Sequence, residues 1–248
     1  MEKIKISAVS YLNTLPFIYG IENNQEFLKK INLQRDIPST CAKKLLLDEV
    51  DLGLIPVAVI PQLKEYHIIS DYCIGAVDKV DTVLLLSDVP LNKIENIYLD
   101  YHSRTSVRLC QLLAEKFWKI KVNYLQAEEG FIDKIQGKTA GVLIGDRTFK
   151  LSKKYQYIFD LSEEWMRWQK LPFVFAAWVS NKKLPQSFIK EFNKVLKNGV
   201  ENIDKAIEEF AWDIIPKTAQ AQYLKHSISY SLDKEKRKGL QTFLKLIS

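Results

Sequence analysis

Short apolar runs alternate with amphipathic, helix-like segments along almost the whole chain, and no other feature narrows the choice of fold so far. Strands interleaved with helices bury their apolar faces in layers, which predicts an α/β fold built on mostly parallel sheets flanked by helices. The first unit sets the pattern. Lys3-Ile4-Lys5-Ile6 reads as a strand, runs into the polar turn Ser10-Tyr11-Leu12-Asn13-Thr14, and opens a helix over residues 15–22. A strand that ends in small polar side chains at a helix start makes a neutral cradle for an anionic or hydroxylated small molecule.

Ile31 to Ile37 reads as the next strand, and Pro38-Ser39-Thr40 opens a helix through Val50, with proline early in its first turn. Asp51 to Val59 reads as a buried strand, and Tyr66 to Val77 as further strand or connection. A second block begins with the apolar run Thr82-Val83-Leu84-Leu85-Leu86 and continues through Ile97-Tyr98-Leu99-Asp100. A helix near Arg104 follows, with Leu109, Leu112, Leu113 and Phe117 on one face. Lys121 to Leu125 and Thr139 to Ile144 supply two strands, with a helix around Phe131 to Gln136 between them. After a last apolar run, Phe173 to Val179, the chain reads as helical from Pro185 to its end. Two such runs flanking the middle block carry the chain out of one lobe and back. The expected lobes are residues 1–84 plus 176–248 and residues 85–175, with a ligand cleft between them.

Composition removes several classes of function. The 248 residues carry a formal charge of +6, but the 36 basic residues are interleaved with 30 acidic ones. The densest basic cluster, Lys234-Glu235-Lys236-Arg237-Lys238, reads as a solvated helix face rather than a phosphate track, so no nucleic-acid partner is expected. A mild positive excess suits an acidic metabolite. Cys41, Cys73 and Cys110 are odd in number and widely spaced, which supports neither a disulfide framework nor a metal site. Lys3, Lys5, Ser7, Ser10 and Asn13 interrupt any export-signal pattern, and no segment approaches the length of a membrane span; the expectation is cytoplasmic residence.

Two further strand-to-helix loops offer chemistry. In Asp100-Tyr101-His102-Ser103-Arg104-Thr105-Ser106, backbone N–H groups at the helix start and three hydroxyls can receive a carboxylate, with N-capping by Ser103 or Thr105 as the rival role. In Gly141 to Arg147 a buried strand ends in Gly145-Asp146. Gly145 permits close backbone approach, and Asp146 either caps a helix or accepts from a substrate hydroxyl. No dinucleotide fingerprint, Walker loop, nucleophile elbow or paired-carboxylate motif is present. Of His67, His102 and His226 only His102 adjoins a candidate loop. An enzyme built this way works by positioning and neutral hydrogen bonds, not by a strong protein base.

The three loops, in this order, resemble the chorismate dehydratase family of the futalosine route to menaquinone. The resemblance rests on Ser10 to Phe17, Asp51 to Val57, Thr82 to Leu85, Ser103 to Val107, Ile144 to Arg147 and Leu171 to Ala176. It implies a fold like the type II periplasmic solute-binding proteins, with two interlobe crossings. It also implies loss of water from chorismate, a small-molecule dicarboxylate, to give 3-[(1-carboxyvinyl)oxy]benzoate without metal or organic cofactor. Under the resemblance Asn13 is the catalytic residue and, with Ser10, orients the ring substituents. Thr105, Ser106 and the adjacent helix start, flanked by Ser103 and Arg104, bind a carboxylate, while Thr82, Gly145 and Asp146 meet the enolpyruvyl and hydroxyl ends. Two departures stand out: Ala58 and Val59 replace the serine and acidic residue often found there, and Asp100-Tyr101-His102 is bulkier than usual. A naphthoate synthase-like enzyme and a small-anion sensor share the expected fold and remain open.

Overall fold

Among the described residues eleven strands fall into two sheets, and what joins the sheets positions the site. The structure is a computed structural model describing residues 3–151, 154–210 and 213–247. Residues 1–2, 211–212 and 248 of the first expected lobe, and 152–153 of the second, lie outside the described residues. The chain runs β1 (Ile4–Val9), α1 (Leu15–Glu22), α2 (Gln25–Leu28), β2 (Ile31–Asp36), α3 (Pro38–Leu46), β3 (Leu52–Pro56) and β4 (His67–Ala76). There follow β5 (Val83–Ser87), β6 (Asn96–Leu99), α4 (Thr105–Leu112), β7 (Asn123–Gln126), β8 (Thr139–Ile144), α5 (Thr148–Leu151), β9 (Tyr157–Asp160) and α6 (Leu161–Gln169). The last part is β10 (Phe173–Ser180), α7 (Gln186–Glu201), α8 (Ile203–Glu209), α9 (Lys217–Gln222), β11 (Ser229–Ser231) and α10 (Lys234–Ile247).

The six-stranded sheet has the order β11-β4-β10-β3-β1-β2, and the five-stranded sheet the order β7-β6-β8-β5-β9. Both are mixed, which corrects the expectation of mostly parallel sheets. β1 pairs in parallel with β2 and β3, whereas β10 runs antiparallel to β3 and β4, and β11 antiparallel to β4. In the smaller sheet β6 is parallel to β7 and β8, and β5 is antiparallel to β8 and β9. A buried apolar run such as Phe173 to Val179 reads the same in either direction, so its sequence carries no sign of pairing sense.

The apolar runs are the strands β5 and β10 themselves, not the crossings. The chain leaves the larger sheet after Ala76 and joins the smaller at Val83; it leaves the smaller after Asp160 and returns through α6 to Phe173. One side chain ties the two crossings together. Asp160 caps α6, its Oδ1 accepting from the Ser162 and Glu163 N–H groups at 2.9 and 3.3 Å, while its Oδ2 accepts from Val80 and Asp81 N–H at 2.9 and 2.7 Å. Burial pushes this carboxyl up to about 6 against the pull of the four donors.

Several boundaries move for local reasons. α3 stops at Leu46, not Val50, because the chain turns through Asp48 at φ 57°. β3 ends at Pro56 and gives way to a 3-10 segment, Val57–Gln62, and the helix expected over 131–136 is one 3-10 turn, Phe131–Lys134. The helical tail is interrupted by β11. Lys236, placed on a solvated face by the charge pattern, is buried; its stem packs on Gly75 and its Nζ pairs with Asp233 at 2.8 Å.

α1 and α7 pack unusually close. A Cβ on Gly199 would lie 1.8 Å from the Pro16 carbonyl oxygen, and one on Gly20 would lie 2.2 Å from that of Val195. Only glycine admits that approach. It seats Phe17 against Trp178 and Tyr230, so the helix that follows the first candidate loop is anchored in the core.

Candidate functional site

The first loop leaves β1 and makes one 3-10 turn, Leu12–Thr14, before α1. Its neighbours come from the smaller sheet. Asn13, Thr82, Ser103, Thr105, Ser106 and Gly145 all line one cavity with about 510 Å³ of empty space, together with Tyr11, Pro56, Phe175 and other apolar side chains. Three other expected residues lie off its wall. Ser10 donates its hydroxyl to the Asp36 carbonyl at 3.2 Å, joining the ends of β1 and β2. Arg104 is exposed and lines an outer groove of about 1160 Å³ with Arg108 and Gln111. Asp146 is buried behind the wall, both carboxylate oxygens accepting from the Leu12 N–H at 3.2 Å.

That Asp146–Leu12 bond is one stitch of a seam across the cleft. Thr105 makes another: its hydroxyl donates to the Phe175 carbonyl at 3.0 Å and accepts from the Ala58 N–H at 3.2 Å. Its one proton is therefore engaged, so Thr105 cannot donate to a ligand carboxylate here, contrary to expectation. Ser103 has the capping role, accepting from the Ser106 N–H at 3.0 Å. The Ser106 hydroxyl has no such duty and faces the cavity at the start of α4.

Tyr11 forms the third stitch, 2.8 Å from His102 Nδ1. Burial raises its pKa, so the phenol stays protonated beside the imidazole. Burial, helped by the Arg147 cation, lowers the pKa of His102. Asp100, buried, holds the corner: it accepts from His102 N–H and Ile144 N–H at 3.0 Å each and pairs with Arg147. Gly145 is required beneath this stack. It has φ +70°, and a Cβ there would meet the Tyr11 ring at 2.8 Å.

Behind Asn13 lies a second group of polar atoms. Thr82 Oγ1 is 2.7 Å from the phenol of Tyr223. Tyr230 donates to the Asn13 carbonyl at 3.1 Å. Neither tyrosine is signalled by sequence, because both lie in the tail that reads as unbroken helix, more than two hundred residues from Asn13. Among the described residues the wall contains no carboxylate, histidine or lysine, so the cavity is a neutral, hydroxyl-lined, largely apolar chamber. Among the described residues no three His, Cys, Asp or Glu side chains converge as a metal site, and no helix is long and apolar enough to cross a membrane.

Two lobes closed over a cleft define a class, and the solved structures agree. The alkanesulfonate-binding protein of Xanthomonas axonopodis pv. citri, bound to MOPS, superimposes with a TM-score of 0.65 at 12% identity, covering 99% of this chain and 94% of that one. A Candida albicans protein described as having the generic periplasmic binding protein fold gives 0.64 at 12% identity, covering 100% and 90%. A protein of Archaeoglobus fulgidus gives 0.77 at 15% identity, covering 98% and 96%. The chain thus has the two-lobed periplasmic-binding-protein fold. Within that fold it belongs to the menaquinone biosynthesis family, which it matches over residues 4–248. It is 22% identical over 253 aligned positions to the chorismate dehydratase of Thermus thermophilus, covering 94% of this chain and 91% of that protein.

Proposed function

We propose that the protein removes water from chorismate to give 3-[(1-carboxyvinyl)oxy]benzoate, on the futalosine route to menaquinone. The observation that carries the reading is the neutral chamber itself: hydroxyls and one amide on its wall, no ionised side chain, and the start of α4 at one side. Such a site holds a dicarboxylate by positioned donors and leaves proton transfer to the ligand. The family and the Thermus thermophilus relative supply the substrate class.

Chorismate is one elimination from an aromatic ring, so catalysis needs alignment more than force. The enolpyruvyl carboxylate takes the proton from C3, the C3–H electrons form the new ring double bond, and hydroxide departs from C4. That hydroxide takes up the abstracted proton and leaves as water, which balances the step. Asn13 donates to the reacting end of the ring, and the Ser106 hydroxyl with the α4 start holds the ring carboxylate. Thr82 borders the enolpyruvyl side. Thr105 and Asp146 serve closure, and Ser10 and Arg104 lie outside the chamber.

The test is direct. Purified protein incubated with chorismate should yield a product lighter by one water in mass spectrometry, and Asn13→Ala should lower kcat by about 10²–10³-fold. Chorismate that binds but stays intact would instead establish a sensor. Full activity in Asn13→Ala would remove Asn13 from the reaction.

A further inference from the structure

We infer that the outer groove between the lobes is a second ligand site, distinct from the chamber, which takes a small phosphoryl dianion and is held closed by it. The arginines point to it. Every other arginine of the chain is met by a carboxylate: Arg35 by Glu22, Arg147 by Asp100, Arg167 by Glu164 and Arg237 by Asp71. Among the described residues Arg104 and Arg108 have no acidic partner, and both line this groove. The Arg108 backbone N–H donates to the Arg104 carbonyl at 3.2 Å, so the two side chains leave one face of the helix a turn apart. Among the same residues the Arg104 guanidinium meets no acceptor, and that of Arg108 meets only neutral oxygens, Gln111 Oε1 at 3.2 Å and the Ile247 carbonyl at 3.4 Å. The carboxylate on the groove wall, Asp100, is already engaged by Arg147 and by the His102 and Ile144 N–H groups.

Chemistry narrows the occupant. Two guanidiniums without a counter-charge make a doubly positive patch, and their planar forks grip oxyanions through paired N–H donors. A carboxylate has two oxygens and one charge, which a single arginine satisfies; a phosphoryl group offers three oxygens and close to two charges, which match a pair. Carboxamides surround the arginines. Gln111 keeps its NH2 as a donor, since its oxygen accepts from Arg108, and Gln126 and Gln62 complete the set. Gln62 decides the mechanical consequence, because it ends the 3-10 segment Val57–Gln62 that continues β3 of the larger sheet, whereas Arg104, Arg108 and Gln111 follow β6 of the smaller one. That same segment carries Ala58, whose N–H is the seam donor to Thr105. An oxyanion gripped by the arginines and by Gln62 spans both lobes beside the seam, so it binds the closed arrangement in preference to the open one. The start of α4 is the partition between the two sites, with Ser106 on the chamber and Arg104 and Arg108 on the groove.

The probe is inorganic phosphate, titrated at about pH 7.5 and low ionic strength into the full-length, ligand-free protein and followed by ¹⁵N NMR, with succinate as a carboxylate dianion for comparison. Phosphate should shift the backbone amides of Arg104, Arg108, Gln111 and Gln62, and should bind about tenfold more tightly than succinate. Arg104, Arg108 and Gln62 are exposed, so their replacement leaves the core intact. Arg104→Gln and Arg108→Gln should each weaken phosphate binding about tenfold, and Gln62→Ala should weaken it to a smaller degree. Two controls should bind as the wild type does: Arg35→Gln, which removes an arginine already paired, and Ser106→Ala, which alters the chamber. Bound phosphate should also slow exchange of the Leu12 and Ala58 amides in the wild type and leave it unchanged in Arg108→Gln. Absence of binding, binding that survives both arginine changes, binding lost in Ser106→Ala, a preference for succinate, or seam amides that exchange no more slowly with phosphate bound would each overturn the proposal. None of these readouts uses chorismate, so a protein that leaves chorismate intact would refute the dehydratase reading alone and the groove would still be decided.

Discussion

The lobes of this protein meet along two lines that are built differently. On the cleft side the seam, among the described residues, includes three separate stitches: Tyr11 to His102, Leu12 to Asp146, and Ala58 to Thr105 to Phe175. On the other side one carboxylate, Asp160, gathers four N–H groups from both crossings. Removing one stitch leaves the others; removing Asp160 takes the shared acceptor from all four N–H groups. If the lobes open at the cleft and turn about the crossings, this asymmetry is what such a motion requires.

The largest effect should therefore come from the hinge. Asp160→Ala is expected to lower stability by about 3 kcal/mol at pH 7.5, since each abandoned buried donor carries a desolvation penalty. Urea denaturation measures it. A loss below about 1 kcal/mol would mean that the crossings find other acceptors and that the contrast with the seam is false.

Gly145→Ala should come next, at about 2 kcal/mol, from a left-handed backbone that alanine resists and a methyl driven into the Tyr11 ring. Because the strain falls on the seam, its signature is looser closure as well as lost stability: small-angle scattering should show a larger radius of gyration for the variant than for the wild type. Equal dimensions together with lost stability would assign the strain to the smaller sheet instead.

How much of this was legible in the sequence depends on distance along the chain. Asn13, Ser106 and Gly145 stand where a strand gives way to a helical turn, and the local rule that a strand entering a helix offers donors brought them to one cavity; Thr82, at the head of β5, came from the family resemblance alone. Ser10 and Arg104 belong to the same loops, yet a neighbour along the chain points elsewhere: Ser10 ties β1 to β2, and Arg104 faces an outer groove. The Thr105 hydroxyl could not be recognised as a stitch, because its partners, Ala58 and Phe175, lie 47 and 70 residues away. β9 and α6 escaped for a related reason. Tyr157 to Asp160 is short and half exposed, and the Asp160 cap is meaningful only once the Val80 and Asp81 N–H groups are seen to share it.

The smallest effect should be one of pH, and it sharpens the comparison because the two lines titrate in opposite senses. His102 has a lowered pKa, so the unfolded chain takes up its proton near 6.5 while the folded protein resists. Stability from the neutral imidazole is present above that value and lost as pH falls below it, because burial and the Arg147 cation disfavour the charged ring in the folded protein. Asp160 behaves the other way. Its folded carboxyl titrates at about 6 against an ordinary 3.8, so its contribution grows as pH falls through that window and is lost as pH rises again. Mild acid should thus loosen the seam while sparing the hinge. Exchange of the Leu12 and Ala58 amides, which report the cleft, should quicken relative to those of Ser162 and Glu163 between pH 7 and pH 5.5, after correction for the intrinsic pH dependence. In His102→Gln, which keeps a neutral partner for Tyr11, that relative change should disappear. If both groups of amides loosened together, closure would be a property of the whole fold and the seam would have no separate identity.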